Sequence, residues 1–357
     1  MATTPPTLDE LWFTRCPVPT ATGIAWKLGW LTEEFAADGI ALRTLQESGS
    51  ELGRHHYDHR LPTLIREGGN MLSIAARAQG EPTRLVGLTW IEESQLILTR
   101  PHSGIAEAAH LKGRRLALPG WSHNDIPSHV RGTSIARGMS LAGYKGALAS
   151  AGLMLDDVDL VEVPDRLRNI GGSGRDLAPR RTGLNRLWPI EALVSGQVDA
   201  IYVKGASALD AAREAGLTVA VDLDALDRRF RVNNGTPRPI TVHQHLLDEH
   251  FDVLVRFLAV TLRAADWIKA QPEKLRDILE FETEGSAQAV DQAYRHLHEG
   301  LHPTLDPERL ALFAQQKKFL FTHGFLDADF ALEDWADPRP LEAARALAAQ
   351  HSISEAA

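Results

Sequence analysis

The chain has 357 residues and a mass of 39.2 kDa, a length typical of two domains or two lobes rather than one compact unit. Its formal net charge is −9 and its sequence pI is near 5.9, and its Lys and Arg residues form no basic block. Because binding to nucleic-acid phosphates needs a clustered basic surface, this charge pattern argues against DNA or RNA as a partner.

The N-terminal residues, MATTPPTLDELWFTRC, have neither the basic start nor the apolar core of a signal peptide. Cys16 is the only cysteine, so the chain can form no internal disulfide, which fits a reducing compartment. No later segment reaches the roughly 18 apolar residues that a membrane span needs. We therefore expect a soluble protein of the cytoplasm with no membrane span.

Short apolar strands alternate with helical patterns along the first part of the chain. LWFTRC (11–16) predicts a strand, and the segment after it predicts one helix with apolar side chains at helical spacing and Gly39 at its end. RLVGLTWI (84–91) and SQLILTR (94–100) predict further strands, after a helix in NMLSIAARAQG. This alternation predicts an α/β fold with a mostly parallel sheet.

The same alternation returns after Arg115. The pattern predicts a helix at 132–151, strands in VDLVEVP, VDAIYVKG and LTVAVDLD, and mostly helix from HQHLLDEHFDVLVRF to the end. The loop NIGGSGRDLAPRR lacks the Lys-Ser/Thr pair of a phosphate-binding P-loop, so we interpret it as a linker.

Cys16 lies where the first strand should end, just before a predicted helix. The positive end of that helix dipole would lower the pKa of the thiol and favour the thiolate, which is a nucleophile. The alternative interpretation, from position alone, is a small buried side chain.

The segment HHYDH (55–59) places three histidines beside a tyrosine and an aspartate. It is an incomplete metal site, because further ligands lie far away in sequence and the cysteine is not adjacent, so we predict no metal. It is better suited to acid–base chemistry, because an unperturbed imidazole titrates near pH 6.5. We predict this role for His56, with His55 as the competing candidate.

Arg66 is followed by Gly68 and Gly69, just before a predicted helix. A guanidinium can bind two oxygens of an oxyanion, and glycine N–H groups can approach the anion without an intervening Cβ. The alternative is a surface arginine before a turn. Trp121, in LPGWSHND, follows a predicted strand and is a candidate for contact with a ligand in a cleft.

Three stretches resemble the periplasmic-binding-protein fold of the nitrate, sulfonate and thiamin-precursor type: GWLTEEFAADGIAL (29–42), HLKGRRLALPG (110–120) and EALVSGQVDAIYVKG (191–205). The resemblance implies two lobes with a ligand in the cleft between them. Lobe I would contain residues 1–115 and 226–357, with extra C-terminal helices, and lobe II would contain residues 116–225.

The N-terminal quarter is similar to aryl sulfinate desulfinases of the hydroxybiphenyl sulfinate type. Cys16-Pro17-Val18-Pro19 matches the segment that supplies the essential cysteine, His56-Tyr57 matches the histidine segment, and Arg66-Glu67-Gly68-Gly69 matches the Arg-x-Gly-Gly segment that holds the sulfinate. The resemblance implies that Cys16, His56 and Arg66 are catalytic. The predicted substrate-binding residues are Arg66, Gly68, Gly69, His55 and Trp121.

The predicted reaction is cofactor-free hydrolysis of an aromatic sulfinate to the arene and sulfite. Cys16 would either attack sulfur or protonate the ring carbon, and His56 would set the protonation state of Cys16. One alternative is a non-catalytic solute-binding protein for a sulfonate, nitrate or similar organic anion, and another is a C–C or C–N hydrolase that uses the same thiol. The expected partner is a small organic anion, and a monomer is favoured.

Overall fold

A computed structural model describes residues 8–14, 18–122, 131–164, 188–283 and 285–356. Cys16 and the predicted linker NIGGSGRDLAPRR lie outside these ranges. The strands of the described part are β1 (Glu10–Thr14), β2 (Ala41–Thr44), β3 (Leu64–Glu67), β4 (Thr83–Thr89), β5 (Gln95–Thr99), β6 (Arg115–Pro119), β7 (Asp159–Val163), β8 (Ala200–Lys204), β9 (Thr218–Asp222) and β10 (Arg238–His243).

Helices cover both sheets and make up most of the chain after β10. They are α1 (Ala21–Lys27), α2 (Trp30–Ala36), α3 (Ser50–Gly53), α4 (His55–Asp58), α5 (Asn70–Ala78), α6 (Ile135–Ser150), α7 (Ile190–Val194), α8 (Ala206–Glu214), α9 (Gln244–Glu249), α10 (Phe251–Ala270), α11 (Pro272–Thr283), α12 (Ala287–Ala293), α13 (Pro307–Thr322) and α14 (Arg339–Ala356). None of the helices in the described ranges is both long and apolar enough to cross a membrane.

The first sheet has the strand order β2-β1-β3-β10-β4. β1 pairs in parallel with β2 and β3, whereas β10 runs antiparallel between β3 and β4. Apolar side chains of its strands form part of the core: Leu11, Phe13, Ile65 and Ile240 are each at most 1% exposed. Burial of these side chains is the main force that holds the helices on this sheet.

The second sheet has the order β7-β6-β8-β5-β9 and repeats the same design, with four strands in one direction and β5 antiparallel between β8 and β9. α6 packs closely on it because the helix carries small residues. A Cβ atom built on Gly143 would lie 2.1 Å from the ring of Tyr202 on β8.

Sheet membership changes between β4 and β5, and again between β9 and β10. β5 lies in the stretch that the sequence prediction assigns to lobe I, yet it pairs with the strands of residues 115–222. The predicted domain limits at 115/116 and 225/226 remain predictions, and the sheets themselves place the first crossing at residues 90–94. We call residues 90–94 the outward segment and residues 223–237 the return segment.

Buried polar groups hold the two segments against each other. Glu92 of the outward segment accepts hydrogen bonds from Arg228 and Arg231 of the return segment, each at 2.8 Å. Asn233 of the return segment donates from Nδ2 to the Met139 carbonyl oxygen and to the Tyr202 hydroxyl, each at 3.0 Å. Both segments are thereby fixed to the second sheet and its helix α6.

One predicted element is divided in two. The helix expected to run from the first strand to Gly39 ends at Lys27, and a second helix starts at Trp30. Gly29 between them has φ of +82°, a left-handed conformation that glycine adopts without strain and that interrupts an α-helix. The single long helix predicted there was therefore wrong.

Candidate functional site

The ends of β1 and β3 lie side by side. The two strands are parallel neighbours, and Thr14 pairs in register with Arg66. Both are at most 2% exposed. Because parallel strands end at the same edge of the sheet, the segments that follow Thr14 and Arg66 leave from one place. Cys16 follows Thr14 by two residues, and α1 begins after Thr20, whose Oγ1 accepts a hydrogen bond from the Gly23 N–H at 3.0 Å.

The Arg66 guanidinium folds back over the glycines that follow it. Its Nε donates to the carbonyl oxygen of His56 at 3.2 Å, and its Nη1 donates to the carbonyl oxygen of Gly69 at 3.1 Å. A Cβ atom built on Gly68 would lie 2.4 Å from the guanidinium carbon. Glycine is therefore required at position 68 for the arginine to occupy this place.

Gly69 and the start of α5 lie against the return segment. A Cβ atom on Gly69 would lie 2.6 Å from both terminal atoms of the Asn234 side chain, and Asn234 Oδ1 accepts the Met71 N–H at 3.0 Å. Asn70 donates to the carbonyl oxygens of Asn233 and Pro237 at 2.6 and 2.8 Å. The first turn of α5, whose N–H groups favour negative charge, is thus anchored to residues far away in sequence.

His56 is buried beside this arginine. It is 7% exposed, and its ring meets the Tyr57 ring edge-on at 4.9 Å. Burial, followed by the positive charges of Arg66 and Arg238, holds the pKa of His56 well below its ordinary value of 6.5. Within the described residues its Nδ1 has no hydrogen-bond partner. The imidazole is therefore neutral at neutral pH and has a nitrogen available for a proton or a ligand.

His55 is oriented differently. Its Nδ1 lies 2.7 Å from Asp58 Oδ1. Burial raises the pKa of Asp58, but the hydrogen bonds from His55 and the Arg60 N–H outweigh it, so this pKa is lowered overall. His59 points its Nδ1 to the Tyr57 carbonyl oxygen at 3.1 Å. Of these three histidines, His56 is the one whose backbone is bonded to Arg66.

Trp121 follows β6, on the second sheet. Its ring lies 5.0 Å from the ring of Phe325, and the guanidinium carbon of Arg137 is 4.6 Å from the indole. The neighbouring Ser122 N–H donates to Ser134 Oγ at 2.9 Å, just before α6. The structure thus brings His56, Arg66, Gly68 and Gly69 together, and places Trp121 against Phe325 and Arg137, beside a core cluster that also contains Met71. A substrate-binding role for Trp121 remains a prediction.

Sequence reasoning missed Asn234, which borders Gly69, and Arg238, whose charge acts on His56. Asn234 caps α5, and Arg238 starts β10 and contributes to the low pKa of His56. Both belong to the stretch NNGTPRP (233–239), where turn-forming residues and two prolines interrupt the predicted pattern. That composition is the one signal that marks the stretch. Among the residues described, no group of three or more His, Cys, Asp or Glu side chains could hold a metal ion.

No protein-family model matches the chain. The chain is 29% identical over 352 aligned residues to 2'-hydroxybiphenyl-2-sulfinate desulfinase from Rhodococcus erythropolis, which covers 92% of this chain and 92% of the relative. The enzyme of the same name from Rhodococcus qingshengii matches with the same figures. The predicted resemblance to hydroxybiphenyl sulfinate desulfinases is thereby confirmed over nearly the whole length.

Solved structures agree on the fold. The desulfurization enzyme DSZB matches with a TM-score of 0.71 and 26% identity, over 94% of this chain and 98% of its own. A cysteine-to-serine mutant of it, solved in complex with biphenyl-2-sulfinic acid, matches with a TM-score of 0.68 and 25% identity, with the same coverage. The periplasmic aliphatic sulphonate binding protein SsuA from Escherichia coli matches with a TM-score of 0.62 and 16% identity, over 94% of this chain and 91% of its own. The predicted two-lobed, periplasmic-binding-protein-like α/β fold is confirmed.

Proposed function

We propose that this protein is a desulfinase that hydrolyses an aromatic sulfinate, of the biphenyl-2-sulfinate kind, to the arene and sulfite without a cofactor. The overall reaction is ArSO₂⁻ + H₂O → ArH + HSO₃⁻. The observation that carries the proposal is the placement of a neutral, buried His56 against Arg66, at the sheet edge where β1 and β3 end, with Cys16 two residues after β1 in the sequence. Similarity to sulfinate desulfinases over 92% of the chain supports the same assignment.

Arg66 and the glycines after it form the anion-binding part of the proposed site. The Arg66 side chain is held by two backbone carbonyl oxygens, so its position is set before a ligand arrives. Such preorganised donors stabilise negative charge without reorganising during the reaction. We assign the sulfinate oxygens to Arg66 and to the backbone of Gly69, at the positive end of α5.

Cys16 supplies the proposed reactive group. Cys16 follows Thr14 by two residues in the sequence, and Thr14 pairs with Arg66 where β1 and β3 end. In one route His56 takes the thiol proton, and the thiolate attacks sulfur while the carbon–sulfur bond breaks and the ring carbon receives that proton. The products are ArH and Cys16-S–SO₂⁻, and water then cleaves the sulfur–sulfur bond to release HSO₃⁻ and restore the thiol.

In the second route Cys16 is an acid. Its thiol protonates the ring carbon, the carbon–sulfur bond breaks and SO₂ leaves with ArH, after which SO₂ and water give HSO₃⁻ and the proton that restores the thiol. A neutral His56 serves either route, because it can accept the proton from Cys16 or return it. Mass spectrometry of protein quenched during turnover separates the routes, since a covalent SO₂ adduct on Cys16 forms only in the first.

The proposal is tested by sulfite release from biphenyl-2-sulfinate. Wild-type protein should release sulfite and biphenyl in equal amounts, and Cys16→Ser should release neither while its circular dichroism and ligand-induced thermal stabilisation are retained. Sulfite release by Cys16→Ser at the wild-type rate would contradict a role for the thiol. Absence of sulfite from the wild type with undiminished ligand binding would favour the rival function.

That rival is a solute-binding protein for a sulfonate or similar anion. Its specific support is the shared fold of the sulphonate-binding protein, together with an anion site that needs no cysteine. It predicts equal affinity for sulfinates and the corresponding sulfonates in the wild type and in Cys16→Ser. We also propose a cytoplasmic location for the protein, on the basis of its single cysteine.

A further inference from the structure

Arg238 is a buried arginine with an unusual lack of partners. Arg238 is the first residue of β10 and is 3% exposed. Within the described part of the chain, its Nε and Nη2 have no hydrogen-bond partner, and its guanidinium forms no ion pair with a described carboxylate. Buried N–H groups without acceptors are destabilising, and a ligand could supply the acceptors that Nε and Nη2 of Arg238 lack.

The strand register places Arg238 beside the glycine motif. Ile240 pairs with Glu67, and the Gly68 N–H donates to the Pro239 carbonyl oxygen at 3.3 Å. Pro239 is therefore opposite Gly68, and the next pair in this antiparallel register is Arg238 with Gly69. The carbonyl oxygen of Gly69 accepts the hydrogen bond from Arg66, so Arg66 and the register position of Arg238 are both next to this glycine.

The carboxylate of Glu67, which borders Arg238 in this register, is engaged through one oxygen only, and within the described residues its Oε2 has no hydrogen-bond partner. Glu67 is 2% exposed, and its Oε1 accepts a hydrogen bond from the Thr89 hydroxyl at 3.0 Å. Thr89 pairs with Arg238 across β4 and β10, so Glu67 borders the arginine without forming an ion pair with it in the described structure. On the other side, Arg238 Nη1 lies 3.7 Å from a Cβ built on Gly235, whose own surroundings include Lys204.

We propose that Arg238 is a second substrate-binding arginine, which contacts the sulfinate group from β10 while Arg66 contacts it from β3. The inference rests on the proposed function for the identity of the ligand. A sulfinate between two guanidinium groups would provide acceptors for the N–H groups of Arg238 and spread its charge over both side chains. The low pKa of His56, to which both arginines contribute, is consistent with two cations around this position.

The test measures binding of biphenyl-2-sulfinate by calorimetry in a Cys16→Ser background, so that the ligand is not consumed. Arg238→Met keeps the approximate length of the side chain and removes its charge and its hydrogen-bond donors. Arg238→Lys keeps the charge but lacks the paired N–H donors of a guanidinium. Arg84→Met is the matched control, because Arg84 lies near the opposite end of β4 and donates to the Asp334 carbonyl oxygen. Thermal unfolding is followed for each variant with and without ligand.

Arg238→Met should raise the Kd by about 10- to 100-fold, Arg238→Lys should raise it less, and Arg84→Met should leave it within twofold. The affinity for the neutral isostere biphenyl-2-carboxamide should change less than threefold. Without ligand, Arg238→Met should unfold at the same temperature as its parent or higher, because an unpartnered buried charge has been removed.

A Kd of Arg238→Met for the sulfinate within twofold of the parent would overturn the inference. The inference would also be overturned if Arg238→Met unfolded at a lower temperature and lost as much affinity for the carboxamide as for the sulfinate. Failure of the proposed function is seen separately, as absence of sulfite release from wild-type protein. Dependence of sulfinate binding on Arg238 would then still identify the second anion-binding arginine.

Discussion

The guanidinium of Arg66 occupies the space that a side chain on Gly68 would fill, with 2.4 Å between the guanidinium carbon and an ideal Cβ. The glycine is therefore needed to position the arginine, in addition to any role in allowing a ligand to approach.

Replacement of Gly68 by Ala should displace Arg66 from the carbonyl oxygens that hold it. We expect kcat/KM for the sulfinate to fall by about 10- to 100-fold, because small displacements of positioning groups cost that much. The measurement is sulfite release, with circular dichroism to confirm folding. Gly49→Ala is the control, since a Cβ at Gly49 meets no atom within 4 Å. Wild-type activity in Gly68→Ala would contradict the positioning role.

The pH dependence of activity should reflect His56. Its pKa is held well below 6.5 by burial and then by Arg66 and Arg238, and the proposed mechanism needs the neutral imidazole, which predominates above that pKa. We expect kcat/KM to remain level as pH falls to 6.5 and to drop only below it. Arg238→Met removes one charge that lowers the pKa, so the acidic limb should move to higher pH. A limb that stays in place or moves lower would contradict this electrostatic coupling.

Asp224, in the return segment, should make the free energy of unfolding fall as pH rises. Burial, followed by the neighbouring Asp222, raises its pKa from 3.8 to about 7, although Arg231 opposes the shift. Between these two values the folded state holds a proton that the unfolded state has lost, so this contribution to stability is lost as pH rises through about 7.

Asp224→Asn should therefore increase the free energy of unfolding near pH 8, by on the order of 1 kcal/mol, and change it little near pH 4. The measurement is urea-induced unfolding at both pH values. Asp156→Asn, at an exposed aspartate, is the control. An equal effect of Asp224→Asn at both pH values would show that the proton is not involved.

Asn233 should contribute strongly to stability through its amide group. Its side chain is 1% exposed and donates to the Met139 carbonyl oxygen and the Tyr202 hydroxyl. Asn233→Asp keeps the shape but supplies no amide donor, and we expect it to lower the free energy of unfolding by about 1–3 kcal/mol or more. Tyr202→Phe removes only one of the partners of the Asn233 amide and should cost less. Equal stability of Asn233→Asp and wild type in urea would contradict the importance of these bonds.

Local patterns were sufficient for several of the strands but not for every strand or helix. The strands at 84–91 and 94–100 were predicted within a few residues of β4 and β5, because apolar runs between turn signals are local features. The break at Gly29 was not predicted, since helical spacing of apolar residues continues across it and only the backbone conformation shows the interruption.

In the candidate site, too, the residues that are neighbours in sequence could be predicted and those brought together by strand pairing could not. Arg66, Gly68 and Gly69 could be predicted because they are neighbours in one motif, and the structure places them together with His56. Arg238 could not be predicted, because its relation to Gly69 arises from the antiparallel pairing of β10 with β3, and nothing in the sequence around Arg238 records that pairing.

The hydrogen bond from the Met71 N–H to Asn234 joins residues 163 positions apart, with the whole second sheet between them in sequence. Closing so long a stretch of chain costs conformational entropy that is recovered only when the intervening strands have folded. During translation, a chain that has emerged as far as β9 already contains Cys16, His56 and Arg66 but lacks Asn234 and Arg238. The proposed anion pocket would therefore be completed late in synthesis, and a protease cut between β9 and β10 would divide its residues between two fragments while sparing every residue of the N-terminal motifs.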